Sequence, residues 1–131
     1  VVVGGPADED VLRRYRQPLV GAPANEAIAL PLRQLAALLA RCGLFIGNDS
    51  GVTHLAAAVG CPTLALFGPT DDRVWAPRGP HVAILRGVHA NDAPPDPTPM
   101  TWWWKRPAEA DLTVEGVYEA ASGMLAAGHW G

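Results

Sequence analysis

Residues 44–67 read LFIGNDSGVTHLAAAVGCPTLALF, a stretch in which two apolar runs enclose a turn and an Ala-rich segment. The apolar runs, Leu44–Gly47 and Pro62–Phe67, have the composition of strands that are buried on both faces of a parallel sheet. Between them, Asn48–Gly51 is a turn rich in helix-capping residues, and Val52–Val59 predicts a short helix. A strand, a helix and a second strand in this order indicate a parallel β-α-β unit.

The same alternation continues on both sides of this stretch. It predicts strands at Val1–Val3 and His81–Leu85, and helices that start near Asp8 or cover Pro31–Arg41, Asp72–Trp75 and Thr113–Ala121. Strands that alternate with helices through short turns predict a doubly wound, Rossmann-like parallel α/β sheet. We expect one domain over residues 1–131, interrupted at 87–110 by a long Pro-rich loop that contains Trp102–Trp104 and whose length suggests a function.

Composition excludes several classes of protein. The 13 acidic and 10 basic residues give a net charge of -3, which argues against a nucleic-acid partner. Cys42 and Cys61 lack the spacing of metal ligands, so we expect reduced core thiols and no metal site. No apolar run approaches the roughly 18 residues of a membrane span, and no signal peptide is evident, so a cytoplasmic protein is predicted. The chain begins inside a strand without Met, as expected for part of a longer protein.

The turn after the Leu44–Gly47 strand is the best candidate for a site, because ligands of parallel sheets bind where strands end and helices begin. Backbone N–H groups from Ser50 to Thr53 would form an anion site at the positive end of the helix. Gly51 has no Cβ, so a phosphate could approach the backbone, and His54 could donate a hydrogen bond. The alternative is that Asp49 or Ser50 simply caps an ordinary helix. A serine-hydrolase elbow is excluded, since the pattern G-x-S-x-G is absent.

The residues Phe45–Ala58, with Phe67–Asp71 after them, resemble the C-terminal domain of the lipopolysaccharide (ADP-heptose) heptosyltransferase family. Val3–Pro6 resembles the family's first strand and turn, and Leu112–Glu115 the start of its last helix. The resemblance implies a GT-B architecture, in which two Rossmann-like domains face each other across a cleft. This chain would be the C-terminal, nucleotide-sugar-binding half. The N-terminal acceptor domain, which carries the carboxylate base in the family, would be absent from these residues.

The resemblance also implies roles for individual residues. Asp49 would bind hydroxyls of the donor sugar, and the diphosphate would be held by Ser50, Gly51 and His54. His54 would also have the catalytic role of stabilising the leaving group. Asp8, where the family often has Glu, would contact the ribose of the nucleotide. Leu30 would pack against the base or belong to the core. Thr70 and Asp71 would cap the turn that closes the pocket floor, with direct contact to the ligand as the alternative.

The expected reaction is inverting transfer of a heptose-like sugar from ADP-heptose to a lipid-linked saccharide of lipopolysaccharide type, without metal or cofactor. The protein would be cytoplasmic and at most peripheral at the inner membrane, and the isolated chain would be inactive.

Two alternatives stay open: an epimerase-like nucleotide-sugar domain, which typically has acidic residues where this chain has Leu55–Ala58, and a non-catalytic nucleotide-binding module. Where many family members carry a Cys-rich segment, near Asn91–Trp104, this chain has Pro and Trp. The three Trp would stack on a sugar or on the partner domain, or one would anchor the loop.

Overall fold

Parallel strands joined by helices make up the computed structural model, which describes residues 1–16, 25–68, 70–87 and 112–128. The chain divides into two units, residues 1–38 and 39–131. The predicted loop at 87–110, with its three Trp, lies outside the described residues except for Gly87. None of the described helices is long and apolar enough to cross a bilayer.

The first unit is built on a two-stranded parallel sheet. Its elements are β1 (Val2–Gly4), a 3-10 turn (Pro6–Asp8), α1 (Glu9–Arg16), β2 (Glu26–Ile28) and α2 (Leu32–Leu39), whose last residue already belongs to the second unit. Gly4 pairs with Ile28, so both strands end at the same edge. The sequence did not predict β2, because a three-residue strand that begins with Glu lacks the apolar run by which buried strands are recognised.

Helix α2 confirms the strongest helix prediction, although it is shorter than Pro31–Arg41 at both ends. Leu35 and Leu39, one turn apart, are buried. Leu32 lies in the first turn and is 69% exposed. The apolar face is therefore buried only beyond its first turn.

The second unit contains a three-stranded parallel sheet in the order β3-β4-β5. Its elements are β3 (Phe45–Asn48), α3 (Gly51–Ala58), β4 (Thr63–Phe67), α4 (Asp72–Trp75), β5 (Val82–Arg86) and α5 (Val114–Ala127). Each agrees with a predicted element, and α5 extends beyond the predicted Ala121. Because β4 is central, four of its five residues are buried.

Helices cover both faces of this sheet, as a doubly wound fold requires. Ala57 of α3 packs on one face with Ala65, Phe67, Val82 and Ile84. Ala121 of α5 packs on the other face with Leu64 and Leu85. Full burial of a side chain such as Phe67 contributes about 1.5–3 kcal/mol, so β4 anchors the unit. The predicted α/β class and parallel pairing are confirmed, with the strands hydrogen-bonded in two sheets rather than one.

The two cysteines are both free thiols but differ in burial. Cys61 is buried, its Sγ lies 3.6 Å from the carbonyl oxygen of Cys42, and burial raises the pKa of its thiol. Cys42 is half-buried, so the prediction of two core thiols is wrong for this residue.

Candidate functional site

The turn between β3 and α3 lies at the carboxyl edge of the three-stranded sheet. Asn48, the last residue of β3, pairs with Leu66 near the end of β4, so the turns that follow the two strands share one edge. Ser50 occupies the N-cap position of α3 with an extended backbone (φ -159°, ψ 162°). The turn consists of Asn, Asp, Ser and Gly, which are typical turn residues, and it connects the strand directly to the helix.

Thr53 holds this turn from inside the helix. Its side chain is fully buried, and its hydroxyl donates to the carbonyl oxygen of Asn48. The Oγ atoms of Ser50 and Thr53 are 3.2 Å apart. Because a hydroxyl has one proton and Thr53 gives its proton to Asn48, Ser50 must be the donor in the second bond. The Ser50 hydroxyl is therefore directed at another side chain and not at the helix amides.

The N-terminus of α3 is consequently open. The carbonyl oxygen of Ser50 accepts from the backbone N–H groups of Thr53 (3.1 Å) and His54 (3.3 Å), whereas the side chain of Ser50 does not cap the helix. Among the described residues, the N–H groups of Gly51 and Val52 have no acceptor. Unpaired amides at the positive end of a helix dipole attract an anion. The simple capping role considered for Ser50 is therefore wrong in this structure, although the residue does stand at the N-cap.

The described residues give no structural reason for the residue type at three neighbouring positions. A Cβ added to Gly51 would meet no atom within 4 Å, and its φ is not left-handed, so packing does not explain a glycine there. His54 is exposed, so it does not fill space in the core. Asp49 is half-buried between β3 and the N-cap, and no described group donates to its carboxylate.

Gly47 has a clear structural reason to be glycine. A Cβ there would lie 2.6 and 2.7 Å from two ring carbons of Phe45 and 2.9 Å from Oγ1 of Thr53. The absent side chain leaves room for the Thr53 hydroxyl beside the strand. Gly47 thereby permits the hydrogen bonds that fix the turn.

The next turn along the edge, between β4 and α4, is closed by its own side chains. The carboxylate of Asp71 caps α4 by accepting from the N–H of Arg73 at 3.0 Å, and it pairs with the Arg73 guanidinium at 2.8 Å. Hydrogen bonds from the Arg73 side chain and then from its backbone lower the pKa of Asp71 to about 2. The predicted capping role of Asp71 is confirmed. Thr70 is exposed beside it, and its contact with a ligand stays a prediction.

A partly buried ion pair supports this second turn, and the sequence did not predict it. Asp72, 3% exposed, lies 3.7 Å from Nε of Arg86, the last residue of β5. The pair ties the start of α4 to the end of β5. The available signal was a single cation at the end of the otherwise apolar run Val82–Leu85.

In the first unit, Asp8 and Leu30 follow the ends of the paired strands β1 and β2. Oδ2 of Asp8 accepts from the N–H of Gly5 at 2.6 Å, so this carboxylate already closes a turn while staying exposed. Its other oxygen retains the capacity to accept from a hydroxyl. Leu30 is half-buried and follows Ala29, whose φ of 53° lies in the left-handed region. Both proposed donor contacts remain predictions.

The fold is also found in a solved structure. The crystal structure of a family 9 glycosyl transferase from Veillonella parvula superposes with a TM-score of 0.74 over 96% of this chain and 36% of that one, at 24% identity. At this identity the match shows the fold alone, an α/β domain like that within a GT-B enzyme.

Sequence comparison then defines the family. Residues 1–97 match the model of glycosyltransferase family 9 (heptosyltransferase), and the chain belongs to that family. It is 33% identical over 81 residues to lipooligosaccharide heptosyltransferase 2 of Haemophilus influenzae, covering 62% of this chain and 23% of that protein. It is 37% identical over 83 residues to lipopolysaccharide heptosyltransferase 3 of Escherichia coli, covering 59% and 24%. The resemblance read from the sequence is confirmed, and the matches cover about a quarter of these relatives (23% and 24%).

Proposed function

We propose that this chain is the donor-binding half of an inverting, metal-independent heptosyltransferase that moves a heptose-like sugar from ADP-heptose to a lipopolysaccharide-type acceptor. Membership of glycosyltransferase family 9 supports the reaction class. The observation that carries the placement of the donor is the open N-terminus of α3, whose first two amides lack an acceptor among the described residues. Family membership also favours this function over the epimerase-like and non-catalytic alternatives.

The chemistry proposed for this turn is stabilisation of the leaving group. When the bond between the anomeric carbon and the diphosphate breaks, negative charge grows on the phosphate oxygens. The N–H groups of Gly51 and Val52 and the imidazole of His54 would donate to those oxygens, and such preorganised donors lower the barrier because they need no reorientation. Ser50 would join them through its backbone N–H, since its hydroxyl is held by Thr53.

The remaining contacts would orient the donor. Asp49 would accept from sugar hydroxyls, Asp8 from the ribose, and Leu30 would pack against the base, with Thr70 at the pocket floor. The base that deprotonates the acceptor hydroxyl would belong to an acceptor-binding domain outside these residues. We expect the complete enzyme to work in the cytoplasm, at most at the surface of the inner membrane.

Calorimetry of the 131-residue chain with ADP, UDP and GDP tests this proposal. We expect weak binding with ADP preferred, and no sugar transfer by the chain alone. The change Asp49→Asn should weaken binding of ADP-heptose more than binding of ADP, because its partner is the sugar. A chain that binds none of the three nucleotides, or an Asp49→Asn variant that loses affinity for ADP and ADP-heptose equally, would contradict the assigned roles.

A further inference from the structure

The hydroxyl of Thr53 both donates and accepts a hydrogen bond within the protein. It donates to the carbonyl oxygen of Asn48, before the turn, and accepts from the hydroxyl of Ser50, at the helix N-cap. The side chain is fully buried, so it has no exposed surface to offer a ligand. Any effect of Thr53 on a ligand must act through the groups that it holds.

The two hydrogen bonds constrain the turn at both ends. One fixes the carbonyl of Asn48 at the end of β3, and the other removes the Ser50 hydroxyl from the position in which it would cap its own helix. A serine at the N-cap ordinarily accepts from an amide in the first turn of its helix. With that hydroxyl engaged elsewhere, the amides of Gly51 and Val52 remain without an acceptor among the described residues.

The geometry points to Thr53 as a positioning residue that keeps the N-terminus of α3 open for the diphosphate of the donor. This inference rests on the proposed function, since it presumes that a diphosphate binds at this helix end. Thr53 does not touch the ligand. It keeps the Gly51 and Val52 amides without an internal acceptor by holding the turn and by diverting Ser50.

Thr63 provides a matched control within the same unit. It is also fully buried, and its hydroxyl donates to a backbone carbonyl, that of Cys61, at 2.8 Å. It lies at the first residue of β4, at the opposite end of the strand from the site. Replacing either threonine by valine removes one buried hydroxyl and leaves one carbonyl without its donor. The Ser50 hydroxyl, which Thr53→Val also releases, is on an exposed residue and can bond to water, so the two changes should cost similar stability.

The test compares Thr53→Val, Thr53→Ser and Thr63→Val for thermal stability and for affinity toward ADP and inorganic diphosphate. We expect Thr53→Val to weaken both ligands by about tenfold, the scale of one lost hydrogen bond to a charged group. Thr63→Val should leave both affinities unchanged at a similar loss of stability. Thr53→Ser, which keeps the hydroxyl but lacks the methyl group, should restore affinity even though it forfeits packing.

The outcomes separate this inference from the proposed function. If the unmodified chain binds neither ADP nor inorganic diphosphate, the proposed function fails and the inference fails with it. If the unmodified chain binds and Thr53→Val binds equally well, only the inference is overturned. If the affinity of all three variants, including Thr63→Val, falls in proportion to their loss of thermal stability, Thr53 has a merely structural role.

Discussion

The helix N-termini of the second unit fall into two kinds. At α4 the carboxylate of Asp71 accepts from a first-turn amide, and at α5 the hydroxyl of Thr113 accepts from the N–H of Gly116 at 3.0 Å. At α3 the N-cap residue Ser50 has an equally suitable side chain, yet it caps nothing. A good capping residue in the sequence therefore does not by itself show that the helix end is satisfied.

The cause of the difference lies one turn into the helix. At α3, Thr53 accepts a hydrogen bond from the Ser50 hydroxyl. At α4, both the backbone N–H and the side chain of Arg73 donate to the capping carboxylate, so the cap stays in place. An uncapped helix end has lost a contribution of about 0.5–2 kcal/mol to stability. Such a deficit is expected where a ligand supplies the missing acceptor.

The largest expected loss of ADP affinity comes from Gly51→Ala. The new methyl group would meet no protein atom within 4 Å, and alanine favours a helix over glycine, so stability should be unchanged or slightly higher. A phosphate against the backbone would collide with it, and loss of its amide contacts should weaken ADP binding by about 10- to 100-fold. Calorimetry and thermal unfolding of the same sample measure both quantities. Undiminished affinity would mean that no ligand approaches this backbone.

His54→Gln should weaken ADP binding by a similar amount. Because His54 is exposed, its replacement should change stability by no more than about 0.5 kcal/mol. If the imidazole donates to the diphosphate, ADP binding should weaken by about 1–3 kcal/mol. The measurement is calorimetry with ADP at constant pH, and equal affinities for the two proteins would remove His54 from the site.

A capped helix end should respond in the opposite way, and Thr113→Ala tests this at α5. Loss of the hydroxyl that caps Gly116 should lower stability by about 1 kcal/mol, the usual value for an N-cap. ADP affinity should not change. Chemical denaturation gives the first quantity and calorimetry the second, and a loss of ADP affinity here would erase the distinction between open and capped ends.

The smallest effect is a pH-dependent change in thermal stability on replacing Asp71. Since the folded pKa of about 2 lies below the ordinary 3.8, ionised Asp71 favours the folded state. That contribution is fully present above pH 4 and is lost as the pH falls toward 2. The Asp71→Asn variant should therefore unfold at a lower temperature than the parent chain at neutral pH. The difference between the two unfolding temperatures should disappear between pH 4 and pH 2. Parallel melting curves across this window check the sign.

The local features of the fold could be predicted from the sequence. The β3, α3 and β4 elements follow from apolar runs and turn residues, which act over a few neighbouring positions. Strand β2 could not be predicted, because its three residues become a strand by pairing with β1, a contact that is distant along the chain. The pair of Asp72 and Arg86 was missed for the same reason, since the fold alone brings them together.

The candidate site shows the same difference between features with a local sequence pattern and features that depend on the folded structure. Gly51 and His54 were predicted as anion-site residues from their place in the first turn of a helix after a parallel strand, and that assignment stays a prediction. The hydrogen bonds of Thr53 could not be predicted, because a threonine in an Ala-rich helix has no distinctive pattern. Only the structure shows that its hydroxyl lies between the carbonyl of Asn48 and the hydroxyl of Ser50.

The central claim, that the open end of α3 binds the donor diphosphate, is tested most directly by following backbone amide NMR signals during titration with ADP. The account predicts that the Gly51 and Val52 signals shift most, while the capped amides of Arg73 and Gly116 remain in place. Inorganic diphosphate should move the same two signals in the same direction, because the phosphates make the contact. Shifts that leave Gly51 and Val52 untouched, or that are as large at the capped helix ends, would contradict the account.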